Sequence, residues 1–414
     1  MRNKKLHYAW IILLGVILIR GFAGGGINLT SGLFLSPVSN DIGVGIGTLS
    51  LYLSITSIVT VLWLPVAGKI VNKYDIRVIA VIGAILQALS FVALGFMNSV
   101  YGWYVLAIPF AMGSTLLVSL LGPILINRWF SKNQGLIMGM HMAFVGLFGA
   151  VLQPVTSSII SQKGWRAGYY IIGGVTFIIV IITSLLLLRN KPEDKNLSAF
   201  GADSPSDKKV ESNQVEKTVG ISEKTALRSA SFYFLVLFLV AITGVGVFMQ
   251  HIPTYGSLLG YSVKQTGNAL AFASIGTAIG SIAIGIISDK IGSIKTSYIM
   301  IGIGILSILG FFVSSYSFFL FGLSTFLHGL VSSSIMVLAP ILTIKFYGQK
   351  DYEKIFAKVS MGAPIASVLL IPIYGFVYDV TDSYLIVLIG MICLLIIAAL
   401  SITVGWKKRC SGIE

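Results

Sequence analysis

Charge is scarce in this sequence. Asp, Glu, Lys and Arg make up 11% of its 414 residues, against about 25% in an ordinary soluble domain. A surface built from this composition cannot face water. The 15 acidic residues sit near the ends of apolar runs or in polar connections, so no carboxylate pair falls at membrane depth. The two cysteines, Cys393 in an apolar run and Cys410 near the end, make neither a disulfide framework nor a metal cluster. With no metal-ligand set and no nucleophile–base constellation, an enzyme is excluded and no cofactor or metal is expected. The net charge of +14 does not indicate a nucleic-acid binder, because the basic residues are sorted by membrane side.

What the sequence has instead is apolar length: 56% of the residues are hydrophobic. A helix needs roughly 20 apolar residues to cross a bilayer, and twelve such stretches are expected. They lie near 9–36, 48–70, 76–97, 101–128, 133–161, 167–188, 230–256, 264–287, 296–314, 317–345, 355–378 and 383–405. The period-two pattern of a membrane β-barrel is absent. The first stretch is too long for the core of a cleaved signal peptide. One long polar segment, Arg189 to Arg228, has the composition of a solvated tether. The expected organisation is therefore a bundle over 1–188, a flexible cytoplasmic linker over 189–228, and a second bundle with a short tail over 229–414.

Lysine and arginine placement orients the chain. Arg2, Lys4, Lys5, Lys69, Lys73, Arg77, Arg128 and Lys132 fall on one side, together with the polar segment, Lys290, Lys295, Lys345 and Lys407 to Arg409. The opposite side holds only Lys163, Arg166 and Lys264. The expectation is a multi-pass protein of the plasma (inner) membrane with both termini in the cytoplasm.

The two halves repeat at a fixed offset of 217 residues, the separation of Gly68 and Gly285. The same offset relates Pro123-Ile124-Leu125 to Pro340-Ile341-Leu342, Arg128 to Lys345 and Gly43 to Gly260. One offset at four places implies two six-helix units of one design, the architecture of carriers that expose a central site alternately to each side. The fold class is thus an all-α membrane protein of twelve helices in two pseudo-symmetric six-helix bundles.

The segment Gly285-Ile286-Ile287-Ser288-Asp289-Lys290-Ile291-Gly292 resembles the Gly-x-x-x-Asp-Arg/Lys-x-Gly loop of the major facilitator superfamily. Its first-half copy begins at Gly68 and keeps Lys73 and Arg77, with Asn72 in place of the acid. Within the superfamily, four further segments are similar to the bacterial monocarboxylate transporter and oxalate–formate exchanger group. They are Asn127-Arg128-Trp129-Phe130, His251-Ile252-Pro253, Phe346 to Tyr352, and Gly375 to Tyr384. The resemblance implies secondary active transport of a small organic acid by proton symport or anion exchange. It also implies that Gly68, Lys73, Arg77, Gly285, Asp289 and Lys290 gate the cytoplasmic side. The group's anion-binding arginine in span eight and lysine in span eleven are replaced here by Ser281 and Ala363. No particular acid is therefore carried over.

Among the residues themselves, Arg20 stands out. It lies about 18 Å along the first span at 1.5 Å per residue. A guanidinium there costs at least ~2.5 kcal/mol and must face the bundle interior or a wet cavity. It is either an anchor for a substrate carboxylate or a structural pin on neighbouring carbonyls. His141, His251 and His328 are candidates for carrying a proton or bonding the substrate, and equally for neutral packing roles. His328, with Thr325 and Ser332 on its face, is the leading one of the three. Pro253 is expected to loosen span seven near Ile252. Asn28, Ser119 and Gln250 are further candidate substrate contacts. The expected partners are a small molecule, most simply a carboxylate, the lipid bilayer and protons, with a monomer sufficient. The competing reading is a carrier or exporter of a neutral or amphipathic solute, with Arg20 structural.

Overall fold

The computed structural model describes residues 7–201 and 220–409. The described chain is almost wholly helical, broken only by turns and two isolated bridges. Its apolar helices are Tyr8–Ile42, Ile46–Val71, Ile76–Leu94, Val100–Trp129, Gln134–Leu186, Ala230–Gln250, Val263–Ile291, Ser293–Phe312, Phe318–Tyr347, Tyr352–Thr381 and Leu385–Lys407. The 53-residue run Gln134–Leu186 is two spans. Gly164, at φ +80° and ψ 167°, turns the chain between them, a conformation that an L side chain rarely adopts. Twelve spans result, as the apolar runs predict. A single glycine makes the junction where a five-residue loop is expected. Leu62, Tyr101, Phe319 and Met336 are each more than 70% exposed. Such outward-facing apolar side chains are stable against lipid tails and not against water.

The chain gathers into two compact units. The first comprises Met1–Ser31 and Ile55–Gln214, the second Gly32–Ser54 and Val215–Glu414. The end of span one and the start of span two therefore belong with the second unit. Within that unit, the Asp379 carboxylate accepts hydrogen bonds from the backbone N–H groups of Ile46 (2.7 Å) and Gly47 (2.8 Å). These are orphan donors at the first turn of span two, and a carboxylate there also complements the helix dipole. Gly47 lies against the Gly375 backbone, with no room for a side chain between them. Ser54 donates to the Val368 carbonyl two turns further along.

Small residues also bring spans eight and ten together in the second unit. Gly276 rests on the Phe326 carbonyl and Gly329 on that of Ala273, the close backbone approach typical of membrane helices. The first unit has instead a core of aliphatic side chains around Trp129, Ile126 and Leu125.

The polar segment 189–228 is held at both described ends, and its middle, 202–219, lies outside the described residues. At its start, Trp129 donates to the Arg189 carbonyl, Arg128 to Asn190, and Phe200 N–H to the Trp129 carbonyl. The Phe200 ring joins His7, Trp10 and Phe130. At its finish, Ile221 N–H donates to the Tyr347 carbonyl, Glu223 N–H to Asp351, and Glu223 pairs with Lys358 at 2.8 Å.

Removal of the span-two cap is expected to be measurable. Asp379→Ala leaves two N–H groups without partners, and loss of a capping side chain costs about 1 kcal/mol. The midpoint of thermal unfolding in detergent should fall, and a midpoint equal to that of the unmodified protein would show the cap to be dispensable.

Candidate functional site

Arg20 is the last residue of the first α-helical stretch of span one. From Gly21 to Asn28 the chain continues as a π-helix, whose extra residue per turn shifts the direction of the side chains that follow. Four glycines in this segment let it lie against span five: a Cβ on Gly25 would meet the Val145 carbonyl and the Gly149 nitrogen. That contact delivers Arg20 to His141. Arg20 is 6% exposed and His141 fully buried, and Arg20 Nη1 lies 3.2 Å from His141 Nε2.

The chemistry of this pair fixes its protons. A guanidinium only donates, so Nε2 of His141 accepts and the neutral ring carries its hydrogen on Nδ1. That Nδ1 has no partner, and neither does Nε of Arg20. Among the described residues, no carboxylate pairs with Arg20. The arrangement is a buried cation beside a second unsatisfied donor, with nothing of opposite charge. Its free donors and uncompensated charge are complementary in chemistry to an acceptor-only, anionic group. Gly122 of span four makes the arrangement possible, because the His141 ring occupies the space where a Cβ would stand.

A second polar group lies further along spans one and four. Gln87, fully buried in span three, donates from Nε2 to the Ala23 carbonyl (3.1 Å) and to Asn28 Oδ1 (2.9 Å). Asn28 Nδ2 donates to Ser114 Oγ at 2.9 Å. Ser119, a further candidate contact, is exposed on span four and takes no part in this group.

The second unit treats its histidines differently. His251 is saturated: Nε2 donates to the Ile371 carbonyl at 2.8 Å and Nδ1 takes the Tyr384 hydroxyl at 3.0 Å. It sits at a break in span seven, where α-helix ends at Gly246 and a tight turn runs over Val247–Gln250. A new helix begins with Ile252 and Pro253. The loosening attributed to Pro253 thus falls a turn earlier, and Pro253 opens a helix, where its missing N–H costs nothing. His328 is enclosed by the rings of Phe248 and Phe311 at 6.0 and 5.9 Å; its ring approaches the Gly246 backbone but makes no well-aligned hydrogen bond. Gln250 is half-buried in the tight turn.

The loop-signature residues are where the repeat predicts them. Asp289 and Lys290 are exposed at the end of span eight, and Gly292, at φ +88°, turns the chain into span nine. In the first-half copy, Lys73 is exposed with its ammonium 5.4 Å from the Tyr74 ring. Asp75 caps span three by accepting from Arg77 N–H at 2.8 Å and pairs with the Arg77 guanidinium at 3.0 Å. That bond holds the Asp75 carboxyl below the usual carboxylate range. Gly68 and Gly285 have open space where a side chain would project.

Sequence reasoning passed over Gln87, Gly122, Tyr384 and Asp75. Gln87 carried a signal, being the only amide side chain in span three. Asp75 likewise stands as an acid three residues after the vacant acidic position. Gly122 and Tyr384 become legible only through what they touch.

Comparison with known proteins agrees with this architecture. The family profile described as Major Facilitator Superfamily matches residues 16–325, and the chain belongs to that family of transporters. It is 23% identical to the uncharacterized MFS-type transporter YhjX of Escherichia coli, over 87% of this chain and 86% of that protein. It is 22% identical to monocarboxylate transporter 12 of Xenopus laevis, over 80% and 74%. It is 23% identical to the oxalate:formate antiporter of Oxalobacter formigenes, over 71% and 66%. Among solved structures, it superposes on a bacterial homolog to the human lysosomal transporter Spinster with a TM-score of 0.71, at 14% identity and covering 98% and 99% of the two chains. The nucleoside transporter NupG gives 0.74, at 12% identity and covering 96% and 100%.

Gly122→Ala tests the seat of His141. The added methyl overlaps the ring, and overpacking of this kind costs about 1–3 kcal/mol. The unfolding midpoint should drop while Gly68→Ala, at an open position, leaves it unchanged; equal midpoints for the two would show that His141 is not confined by span four.

Proposed function

We propose that the protein is a secondary active transporter of a small organic acid anion, with Arg20 as the anchor for the carboxylate. The observation that carries this reading is a buried guanidinium with no acidic partner, whose own Nε and the adjacent His141 Nδ1 bond nothing. A structural arginine in a membrane helix is expected to satisfy itself on carbonyls or a carboxylate; here the one contact is an imidazole that leaves the positive charge uncompensated. The names of the monocarboxylate and oxalate:formate relatives support the same class of cargo. The site is served by alternating access, with the Gly68–Arg77 and Gly285–Lys290 loops gating the cytoplasmic side of a plasma-membrane monomer whose termini are both cytoplasmic.

Coupling follows from the inventory. Arg20 does not deprotonate, so proton symport needs a histidine or the acid itself, and exchange needs neither. His251 is fully bonded and His141 accepts from Arg20. His328, which has no side-chain partner and no well-aligned hydrogen bond, is the candidate proton carrier. The second reading, a neutral or amphipathic solute, draws on one observation. Where related carriers are expected to place cations, Ser281 turns its hydroxyl back onto the Thr277 carbonyl, and Ala363 offers no polar side chain.

Uptake of labelled short monocarboxylates into proteoliposomes separates these readings. Arg20→Gln should lower saturable uptake by roughly 30-fold or more, since removing one partner of a buried charged contact costs about 2 kcal/mol or more. Unchanged saturable uptake in a folded Arg20→Gln protein would overturn the anchor and favour the neutral solute. An inside-alkaline gradient distinguishes the coupling modes. Stimulation that His328→Asn removes identifies symport, whereas uptake driven only by unlabelled internal acid identifies exchange.

A further inference from the structure

Spans one, three and four each carry a π-helical segment: Gly21–Asn28, Ile85–Leu89 and Thr115–Leu120. All three belong to the first unit, and among the described residues the second unit has none. Such segments interrupt the regular ladder and are common where a helix serves function. Here one chain of side chains joins them. Gln87 lies in the segment of span three, Asn28 closes that of span one, and Ser114 immediately precedes that of span four.

The direction of hydrogen bonding along this chain is fixed by its first link. The Ala23 carbonyl only accepts, so the Gln87 atom facing it is the amide nitrogen. The same nitrogen faces Asn28, so Asn28 presents its oxygen to Gln87 and its nitrogen to Ser114. Ser114 Oγ therefore accepts, and its own hydroxyl hydrogen is left over. Among the described contacts no protein acceptor takes it. The chain delivers a donor at its far end, and Ser114 is half-buried, so that donor is within reach of a ligand.

We infer that Ser114 is a second ligand contact, which donates to an acceptor oxygen on the transported molecule, and that Gln87 is the positioning residue that keeps it a donor. The inference rests on the reading of Arg20 as carboxylate anchor and narrows it. Arg20 and Asn28 are eight residues apart on span one, and Gly122, which seats His141, is eight residues from Ser114 on span four. Eight residues are at most about 12 Å of α-helical rise, less where these stretches are π-helical, and the reach of the side chains shortens the gap further. The two contacts thus suit opposite ends of a molecule several bonds long. The class indicated is a carboxylate bearing a second acceptor oxygen, an oxo group or another carboxyl, remote from the first.

Competition against labelled hexanoate uptake in proteoliposomes tests this with two probes of equal chain length, 5-oxohexanoate and unlabelled hexanoate. In the unmodified protein the oxo acid should compete at about 5- to 10-fold lower concentration, the worth of one net hydrogen bond. Ser114→Ala should abolish that preference and leave the hexanoate value unchanged. Gln87→Met, which keeps the volume but frees the Asn28 amide to turn and take the Ser114 hydroxyl, should do the same. The double variant should add nothing to either single one. An unmodified protein that does not distinguish the two acids would overturn the inference, as would variants in which both acids weaken together, the mark of a merely structural chain. If Gln87→Met does not fold, Ser114→Ala decides alone. Loss of hexanoate uptake in Arg20→Gln with the oxo preference absent throughout would leave the carboxylate anchor standing and remove only the second contact. Failure of both acids to compete in folded protein would remove both.

Discussion

A permanent positive charge held inside a lipid-facing bundle without a negative partner is the constraint around which the first unit is arranged. Placing an arginine at the centre of a membrane helix costs roughly 2.5–3.5 kcal/mol on insertion scales. Several otherwise unrelated features follow from supporting it. Span one departs from α geometry at the next residue, its glycines admit span five to backbone distance, and span five brings a histidine that can accept. Span four in turn surrenders a side chain at Gly122 so that the ring fits. None of these residues is exceptional alone. Their common geometry is a guanidinium held in place but left electrostatically incomplete.

The second unit solves a different problem. Its interior is dominated by aromatic rings, with Phe248 in contact with Tyr255, Phe311, His328, Tyr374 and Tyr384. The polar tips of these rings are bonded to backbone: Tyr374 to the Gly244 carbonyl, Tyr255 to that of Phe311. Buried hydroxyls need such partners, and carbonyls near helix breaks supply them. His251 is part of this framework, linking spans seven, eleven and twelve through Ile371 and Tyr384. His328 shares the aromatic surroundings but has no side-chain partner like the Tyr384 hydroxyl on His251, which is what sets it apart from its neighbour.

Apolar length and the 217-residue repeat made the architecture legible in the sequence, because spanning a bilayer requires long uninterrupted helices whatever their partners. Arg20 was legible for a related reason, since charge at that depth is costly and therefore informative. What the sequence could not convey was partnership. His141, 121 residues from Arg20, reads alone as a histidine near a helix end, and Gln87 as one polar residue in an apolar run. The π segments were equally hidden, since nothing in hydrophobic periodicity distinguishes an i→i+5 turn from an ordinary one. Ser119 is in the π segment of span four but makes no hydrogen-bond contact with the Gln87–Asn28–Ser114 group. The polar segment after span six was read by composition alone. Composition does not reveal that Phe200 has an aromatic pocket waiting for it, or that Glu223 meets Lys358.

The uncompensated charge also has an electrical meaning. A fixed cation within the spans experiences the transmembrane voltage, at about 2.3 kcal/mol per elementary charge for each 100 mV it traverses. With the site empty, any rearrangement that shifts Arg20 relative to the field moves a net charge. Once a monoanion occupies it, the pair is neutral and the same rearrangement moves almost none. On the reading of Arg20 as a monoanion anchor, and without a co-transported proton, the potential would act on the unloaded protein and spare the loaded one.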